Sequence, residues 1–163
     1  MLIRIAGLVE ESFVDGEGIR YAIFMQGCRR HCEGCHNPET HALDGGRLLD
    51  TNEIISAIKK NPLLDGITLT GGEPFLQIDA ATALAEAAKN LGLNVWCYTG
   101  FKFEELPPAE SLLKNIDVLV DGEFILSLRD LDLQFRGSCN QRIIDLKKTR
   151  RQNKIVLWSE IGG

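Results

Sequence analysis

The chain has 163 residues and a mass of 18.1 kDa, the size of one domain, so we expect a single domain over residues 1–163. Hydrophobic residues make up 44% of the sequence and charged residues 25%, a composition that excludes a disordered or collagen-like chain. The formal net charge of -5 argues against nucleic acid and against an anionic membrane as partners, because both attract basic proteins.

The cysteines and the N-terminus indicate the compartment. No apolar run approaches the roughly 20 residues that a membrane span needs, and the stretch before Gly7 is too short and too soon interrupted by Arg4 for a signal peptide. Five cysteines are an odd number, and three of them fall within eight residues, which does not fit a secreted disulfide framework. We therefore expect a cytoplasmic protein.

Hydrophobic periodicity predicts strands that alternate with helices. The apolar run over residues 21–26 predicts a strand buried on both faces, which ends at Gly27. The elements predicted after it are a helix capped by Asp50 that ends before Asn61, a strand over 66–70, a helix from Asp79 to Leu91, a strand over 93–98, a helix over 108–114 and a strand over 116–120. After residue 121 the pattern is irregular, and the basic stretch over 147–151 is expected to be solvated surface.

This alternation predicts an α/β fold of right-handed βαβ units with a mainly parallel sheet. A closed eight-unit barrel takes about 250 residues, so the chain is expected to form a partial, open (β/α) barrel. In such folds the ligand site lies at the carboxyl ends of the strands. Four segments follow predicted strands and should meet there, namely the cysteine loop, residues 71–73, residues 99–100 and residues 121–122.

The spacing Cys28-x3-Cys32-x2-Cys35 supplies three thiolates from one tight loop to one compact metal centre. A 4Fe-4S cube normally takes four thiolates, so a loop with three would leave one iron open for a substrate or cofactor. The alternative is a zinc site completed by one of the nearby histidines, and spacing alone leaves both interpretations open. Context favours the cluster, because zinc loops usually staple small modules with poor cores and this loop follows a core strand. The candidate histidines are His31, His36 and His41.

Two motifs carry a resemblance to a known superfamily. The loop GCRRHCEGCHNPET over residues 27–40 and the segment TGGEP over 70–74 resemble the cluster loop and the glycine-rich segment of the radical S-adenosylmethionine enzymes. The resemblance implies the partial barrel of that superfamily. It also implies a 4Fe-4S cluster held by Cys28, Cys32 and Cys35, which act in catalysis through the cluster. S-adenosylmethionine would bind at the open iron and be cleaved to methionine and a 5'-deoxyadenosyl radical.

The same resemblance implies which residues bind the cofactor. Gly71 and Gly72 would bring the backbone close to the methionine end, and Glu73 would accept a hydrogen bond from its ammonium group. Many members of the superfamily have an aromatic residue where this chain has Gly34, which implies that the adenine packs against the backbone there and against His36.

Six segments carry a closer resemblance, namely VDGEGIR (14–20), the cysteine loop, TGGEP, YTGF (98–101), DVLVDGEF (117–124) and RGSCNQR (136–142). By these segments the chain resembles most closely the small glycyl-radical activases that serve anaerobic ribonucleoside-triphosphate reductase. This implies a hydrogen abstraction from a glycine of the reductase's large subunit, with a reduced flavodoxin or ferredoxin-like protein as electron donor. The alternatives are an activase of the pyruvate formate-lyase type, a small-molecule enzyme like 7-carboxy-7-deazaguanine synthase, or a zinc-bound interaction module without catalysis.

Four other residues have more than one interpretation. Cys97 lies on an alternating strand and is expected to be a core thiol, and Cys139 is interpreted as incidental. Asp15 and Arg20 could cap a turn and form an ion pair, but their place in the VDGEGIR segment favours a role in the active site.

Overall fold

The computed structural model describes residues 1–159, and a single sheet of seven strands organises them. The strand order is β3-β1-β2-β4-β5-β6-β7, with β2, β4, β5 and β6 parallel in the centre and antiparallel strands at both sides. The strands are β1 (Leu2–Ser12), β2 (Arg20–Met25), β3 (Arg47–Asp50), β4 (Gly66–Gly71), β5 (Asn94–Tyr98), β6 (Val118–Asp121) and β7 (Arg142–Asp145). The helices are α1 (Thr51–Lys59), α2 (Ile78–Asn90), α3 (Glu110–Leu113) and α4 (Leu146–Gln152). The predicted open α/β fold with a parallel centre is confirmed.

The two faces of the sheet have different coverings. Neighbours in register form a fully buried row across five strands, consisting of Ile23, Leu69, Cys97, Leu119 and Ile144. This face belongs to the main core, which also contains apolar residues of α1, α2 and α3. Cys97 is therefore a core thiol, as predicted.

The opposite face carries larger aromatic and polar side chains. Trp96 lies there next to Thr68 and Val118 in the register of the sheet. The rings of Phe135 and Trp158 pack edge-on against Trp96, with ring centroids 5.3 and 5.2 Å away. These rings belong to a second, smaller apolar cluster, which is built on Trp96, Val118 and Val120.

The predicted helix boundaries are mostly confirmed. Asp50 caps α1 by accepting a hydrogen bond from the Asn52 backbone N–H at 2.9 Å. The prediction that Asp79 caps α2 is wrong, because a 3-10 turn over Pro74–Leu76 leads directly to Gln77 and the helix begins at Ile78. Asp79 instead lies in the first turn, where a negative charge is favourable to the helix dipole.

The sequence did not reveal the elements at the two ends of the chain. Strand β1 has irregular pairing with β2 between Ile5 and Gly7 and again between Val9 and Ser12, which breaks the alternation expected of a strand. Near the C-terminus, the basic stretch lies in helix α4, which Asp145 caps.

Within residues 1–159 no helix is long and apolar enough to cross a membrane.

Candidate functional site

A cavity of about 620 Å³ lies at the carboxyl ends of the parallel strands. The loops after β2, β4, β5 and β6 all contribute to its wall, so the predicted convergence of four segments is confirmed. Gly34 lies outside that wall, and a side chain at this position would meet the Leu126 side chain. The predicted site residues that line the cavity are Cys28, Cys32, Cys35, His36, Gly71, Gly72 and Glu73.

The cysteine loop leaves the sheet and returns to it through a narrow neck. The backbone N–H of Gly27 donates to the Thr40 carbonyl at 2.7 Å, and that of Cys28 donates to the His41 carbonyl at 3.1 Å. The Gln26 side-chain amide strengthens this neck by donating hydrogen bonds to two backbone carbonyls in the part of the loop that returns to the sheet. The three cysteines are free thiols, each partly exposed, so the loop presents sulfur donors to the cavity.

The donor chemistry of this loop fits an iron-sulfur cube. In residues 1–159 no three or more His, Cys, Asp or Glu side chains converge as ligands of one metal ion would. A cube does not need such convergence, because each thiolate binds a different iron and the ligands surround the cluster. The histidines have other contacts, since Nδ1 of His31 lies 3.2 Å from Nδ1 of His41 and the His36 ring packs against Phe124. The three free thiols of the loop can thus serve the cluster that their spacing predicts.

Glu73 is a buried carboxylate at the end of β4, with 3% of its surface exposed. It accepts hydrogen bonds from the backbone N–H of Phe75 at 3.1 Å, from that of Gly100 at 2.8 Å and from the Thr99 hydroxyl at 2.9 Å. Burial raises the pKa of Glu73, and these three donors oppose the rise. The side chain joins the turns after β4 and β5, and it also borders the cavity.

Gly71 and Gly72 allow the backbone after β4 to approach the segment that leads into the cysteine loop. A Cβ on Gly72 would lie 2.3 Å from the Gly27 carbonyl oxygen, and one on Gly71 would lie 2.6 Å from the Met25 nitrogen. Two backbone hydrogen bonds of 2.8 Å, from Gly72 to Met25 and from Glu73 to Gly27, fix this approach. The glycines therefore hold two strand ends together.

Arg30 is a site residue that the sequence analysis missed. Its guanidinium lies 4.5 Å from the centroid of the Phe101 ring and 3.7 Å from Oε2 of Glu123, and its side chain lines the cavity. Its positive charge opposes the rise that burial causes in the pKa of Glu73. Nothing in its spacing from the cysteines distinguishes it from Arg29, so only the fold identifies it.

Asp15 and Arg20 have different environments. Arg20 is buried outside the cavity wall, where its Nε donates to Thr68 Oγ1 at 2.8 Å and its Nη2 donates to the Ile67 carbonyl at 2.7 Å. Desolvation lowers the pKa of Arg20 to about 10. Asp15 lines the cavity and accepts a hydrogen bond from the Ser12 hydroxyl. Arg20 Nη1 also donates to the Glu17 carbonyl at 2.8 Å, and Thr68 Oγ1 donates to the Asp15 carbonyl at 2.7 Å, so Arg20 supports the turn that presents Asp15.

The irregular segment after β6 forms a wall of the cavity. Glu123, Phe124, Phe135, Gly137 and Gln141 all line it, which the sequence pattern did not predict. The segment has no regular hydrophobic period, because it forms no β-strand or α-helix. Hydrogen bonds between side chains and its backbone help to hold it in place.

Comparison with known proteins gives a match to a described family. Residues 14–144 match the family described as "4Fe-4S single cluster domain". A solved structure of QueE from Escherichia coli is similar to 61% of this chain and 53% of that chain, with a TM-score of 0.48 and 17% identity.

Several curated relatives have one name, "Anaerobic ribonucleoside-triphosphate reductase-activating protein". The relative from Haemophilus influenzae is 35% identical over 80% of this chain and 90% of its own length. The one from Enterobacteria phage T4 is 36% identical over 80% of this chain and 86% of its own, and the one from Escherichia coli K12 is 33% identical over 82% and 93%. The chain belongs to the family of anaerobic ribonucleoside-triphosphate reductase-activating proteins.

Proposed function

We propose that this protein activates an anaerobic ribonucleoside-triphosphate reductase by generating a glycyl radical on its large subunit. The observation that supports this most is that three free cysteines of one loop line the same cavity as the glycine-glutamate turn after β4. When bound, a 4Fe-4S cluster and S-adenosylmethionine supply the chemistry, which is reductive cleavage to methionine and a 5'-deoxyadenosyl radical that takes a hydrogen atom from the glycine.

The chain's own contribution is to hold and orient these groups. Cys28, Cys32 and Cys35 are the proposed cluster ligands, and the narrow neck of their loop limits its movement. Glu73 is proposed to accept a hydrogen bond from the methionine ammonium. Its three present donors leave one of the roughly four acceptor sites of the carboxylate free, and a nearby cation would offset the cost of its burial.

The residues proposed for the nucleoside end lie on the cysteine loop. The His36 ring borders the cavity and packs at 5.0 Å from the Phe124 ring, so an aromatic surface is available there, whereas Gly34 lies outside the cavity wall. Adenine can stack on such a surface. We assign the adenine to this place and the methionine to the turn after β4.

The mouth of the cavity suits a protein substrate. Val9 and Val14 line the cavity, yet they are 42% and 76% exposed. A partner loop that covered these apolar residues would exclude water from the radical, which an uncovered mouth does not do. This favours the large subunit of the reductase over a small diffusible substrate, with a reduced flavodoxin or ferredoxin-like protein as electron source.

The first experiment is anaerobic purification followed by reconstitution with iron and sulfide. A brown protein with charge-transfer absorbance, which after reduction cleaves S-adenosylmethionine to methionine and 5'-deoxyadenosine, would support the proposal. A colourless protein that binds one zinc ion and does not cleave S-adenosylmethionine would contradict it and favour an interaction module.

A further inference from the structure

A segment that follows β6, residues 122–126, packs against the cysteine loop. The Phe124 ring contacts that of His36, and the position of a Cβ on Gly34 lies 2.8 Å from Leu126 Cδ1. Glu123 faces the Arg30 guanidinium at 3.7 Å. The segment thus covers the half of the loop that carries Cys32 and Cys35. Residues 122–125 belong to no strand or helix, and a 3-10 turn begins at Leu126.

Three side chains of the RGSCNQR segment hold this covering segment in place. Gln141 Nε2 donates to the Gly122 carbonyl at 3.0 Å, and Asn140 Nδ2 donates to the Glu123 carbonyl at 2.9 Å. The hydroxyl of Ser138, which is fully buried, accepts a hydrogen bond from the backbone N–H of Ile125 at 3.2 Å. Backbone groups that lack partners in regular structure are satisfied here by side chains.

The two ends of the Gln141 amide have different partners. Its Oε1 accepts hydrogen bonds from the backbone N–H groups of Gly137 at 2.9 Å and Ser138 at 3.2 Å, which fold the RGSCNQR loop on itself. Its Nε2 reaches across to the Gly122 carbonyl, as described above. A change that removes only the Nε2 donor therefore weakens the attachment of the covering segment to the RGSCNQR loop without removing the acceptor that shapes that loop.

We propose that Ser138, Asn140 and Gln141 are positioning residues, which hold residues 122–126 against the cysteine loop and thereby shield the cluster from water. The inference rests on the proposed function, because it assumes that the loop holds a cluster. The apolar groups around an iron-sulfur cluster control solvent access and thus its reduction potential and stability. This gives the RGSCNQR segment a role in the reaction although none of these three residues needs to touch S-adenosylmethionine.

The test uses reconstituted full-length protein and two variants that each lose one donor, Gln141→Glu and Asn140→Asp. Cys139→Ser is the matched control, since it lies in the same loop with an exposed side chain. We expect iron transfer to a ferrous chelator to be about fivefold faster in each donor variant, since a lost hydrogen bond displaces the segment more often. The midpoint potential is measured in the uncharged variants Asn140→Ala and Gln141→Ala, because a new carboxylate would itself shift it. It should move to more positive values, because water stabilises the more negatively charged reduced form.

The outcomes separate this inference from the proposed function. If the wild type holds a cluster, both donor variants match Cys139→Ser in iron release and both alanine variants match it in midpoint potential, the inference is wrong and the proposed function stands. If the wild type holds no cluster, the proposed function fails and the inference fails with it. Gln141→Ala is a further check, and it should resemble Gln141→Glu. If Gln141→Ala alone releases iron faster, then folding of the loop is what matters and the inference is overturned.

Discussion

The Thr99 hydroxyl donates a hydrogen bond to the Glu73 carboxylate, 2.9 Å from Oε1, and both residues are buried. This contact joins the turn after β5 to the turn after β4. A backbone hydrogen bond also fixes the turn after β4 to Gly27. The neck of the cysteine loop therefore depends on the same contacts. The cofactor pocket and the cluster loop are therefore mechanically connected.

Glu73 should give the metal-free protein a distinctive pH dependence. Burial raises its pKa in the folded state above the ordinary value of 4.5, so the folded protein holds this proton over a pH range in which the unfolded chain has lost it. The bound proton makes its full contribution to the free energy of unfolding below the pKa that Glu73 has in the unfolded chain. This contribution is lost as the pH rises through the pKa that Glu73 has in the folded protein. The free energy of unfolding of the wild type, minus that of Glu73→Gln, should thus decrease from about pH 4.5 upwards. Urea unfolding of both proteins over a pH series measures this difference, and a difference that is constant or grows with pH would contradict the assignment.

Replacing Cys28, Cys32 or Cys35 singly with Ala should remove most of the cluster iron and abolish cleavage of S-adenosylmethionine, because two thiolates hold a cube poorly. Iron and sulfide analysis under strict anaerobiosis provides the measurement. Cys97→Ala and Cys139→Ser serve as controls that should retain the cluster, since Cys97 lies in the core on the other face of the sheet and Cys139 is exposed. Loss of iron in Cys139→Ser together with retention in Cys28→Ala would show that the ligands are assigned wrongly.

Gly72→Ala should weaken both iron retention and binding of S-adenosylmethionine. The new Cβ would lie 2.3 Å from the Gly27 carbonyl oxygen, so the turn after β4 must move away from the neck of the cysteine loop. Gly92→Ala is the matched control, because its φ of +77° makes alanine unfavourable by about 1 kcal/mol while the Cβ meets no atom within 4 Å. Equal losses of bound iron in the two variants would mean that Gly72 acts only through general stability.

Arg20→Met should destabilise the fold by about 3 kcal/mol or more, because several buried acceptors lose their donor. Arg151→Met, an exposed change on α4, should alter the free energy of unfolding by less than about 0.5 kcal/mol. Chemical denaturation of the metal-free proteins compares the two. If Arg20→Met were as stable as Arg151→Met but bound S-adenosylmethionine more weakly, Arg20 would belong to the site after all.

The sequence predicted the parts of the molecule in which local pattern and fold agree. The parallel strands are buried on both faces, so they read as apolar runs, and the glycines that follow them mark the ends where the cavity forms. Strand β1 was not predicted, because its pairing with β2 is irregular. The register shift between Ile5 and Gly7 moves the following side chains to the other face of the sheet.

The site residues that sequence reasoning missed depend on contacts between distant segments. Arg30 meets Glu123 across 93 positions of sequence only because the loops after β2 and β6 share one edge of the sheet. Gln141 acts through a carbonyl of residue 122, and a backbone carbonyl leaves no trace in the sequence. The RGSCNQR segment could be recognised as a motif, but its partner could be found only from the fold.

The most direct test of the proposed activation is electron paramagnetic resonance of the reduced, cluster-loaded protein mixed with S-adenosylmethionine and the large subunit of the reductase, without oxygen. The proposal predicts a stable glycyl-radical doublet that requires all three components and is absent with Cys32→Ala. The protein without the large subunit should cleave S-adenosylmethionine slowly and give no doublet. If a competent large subunit gave no doublet while a small molecule was converted in a reaction that depends on S-adenosylmethionine, the activase proposal would be wrong.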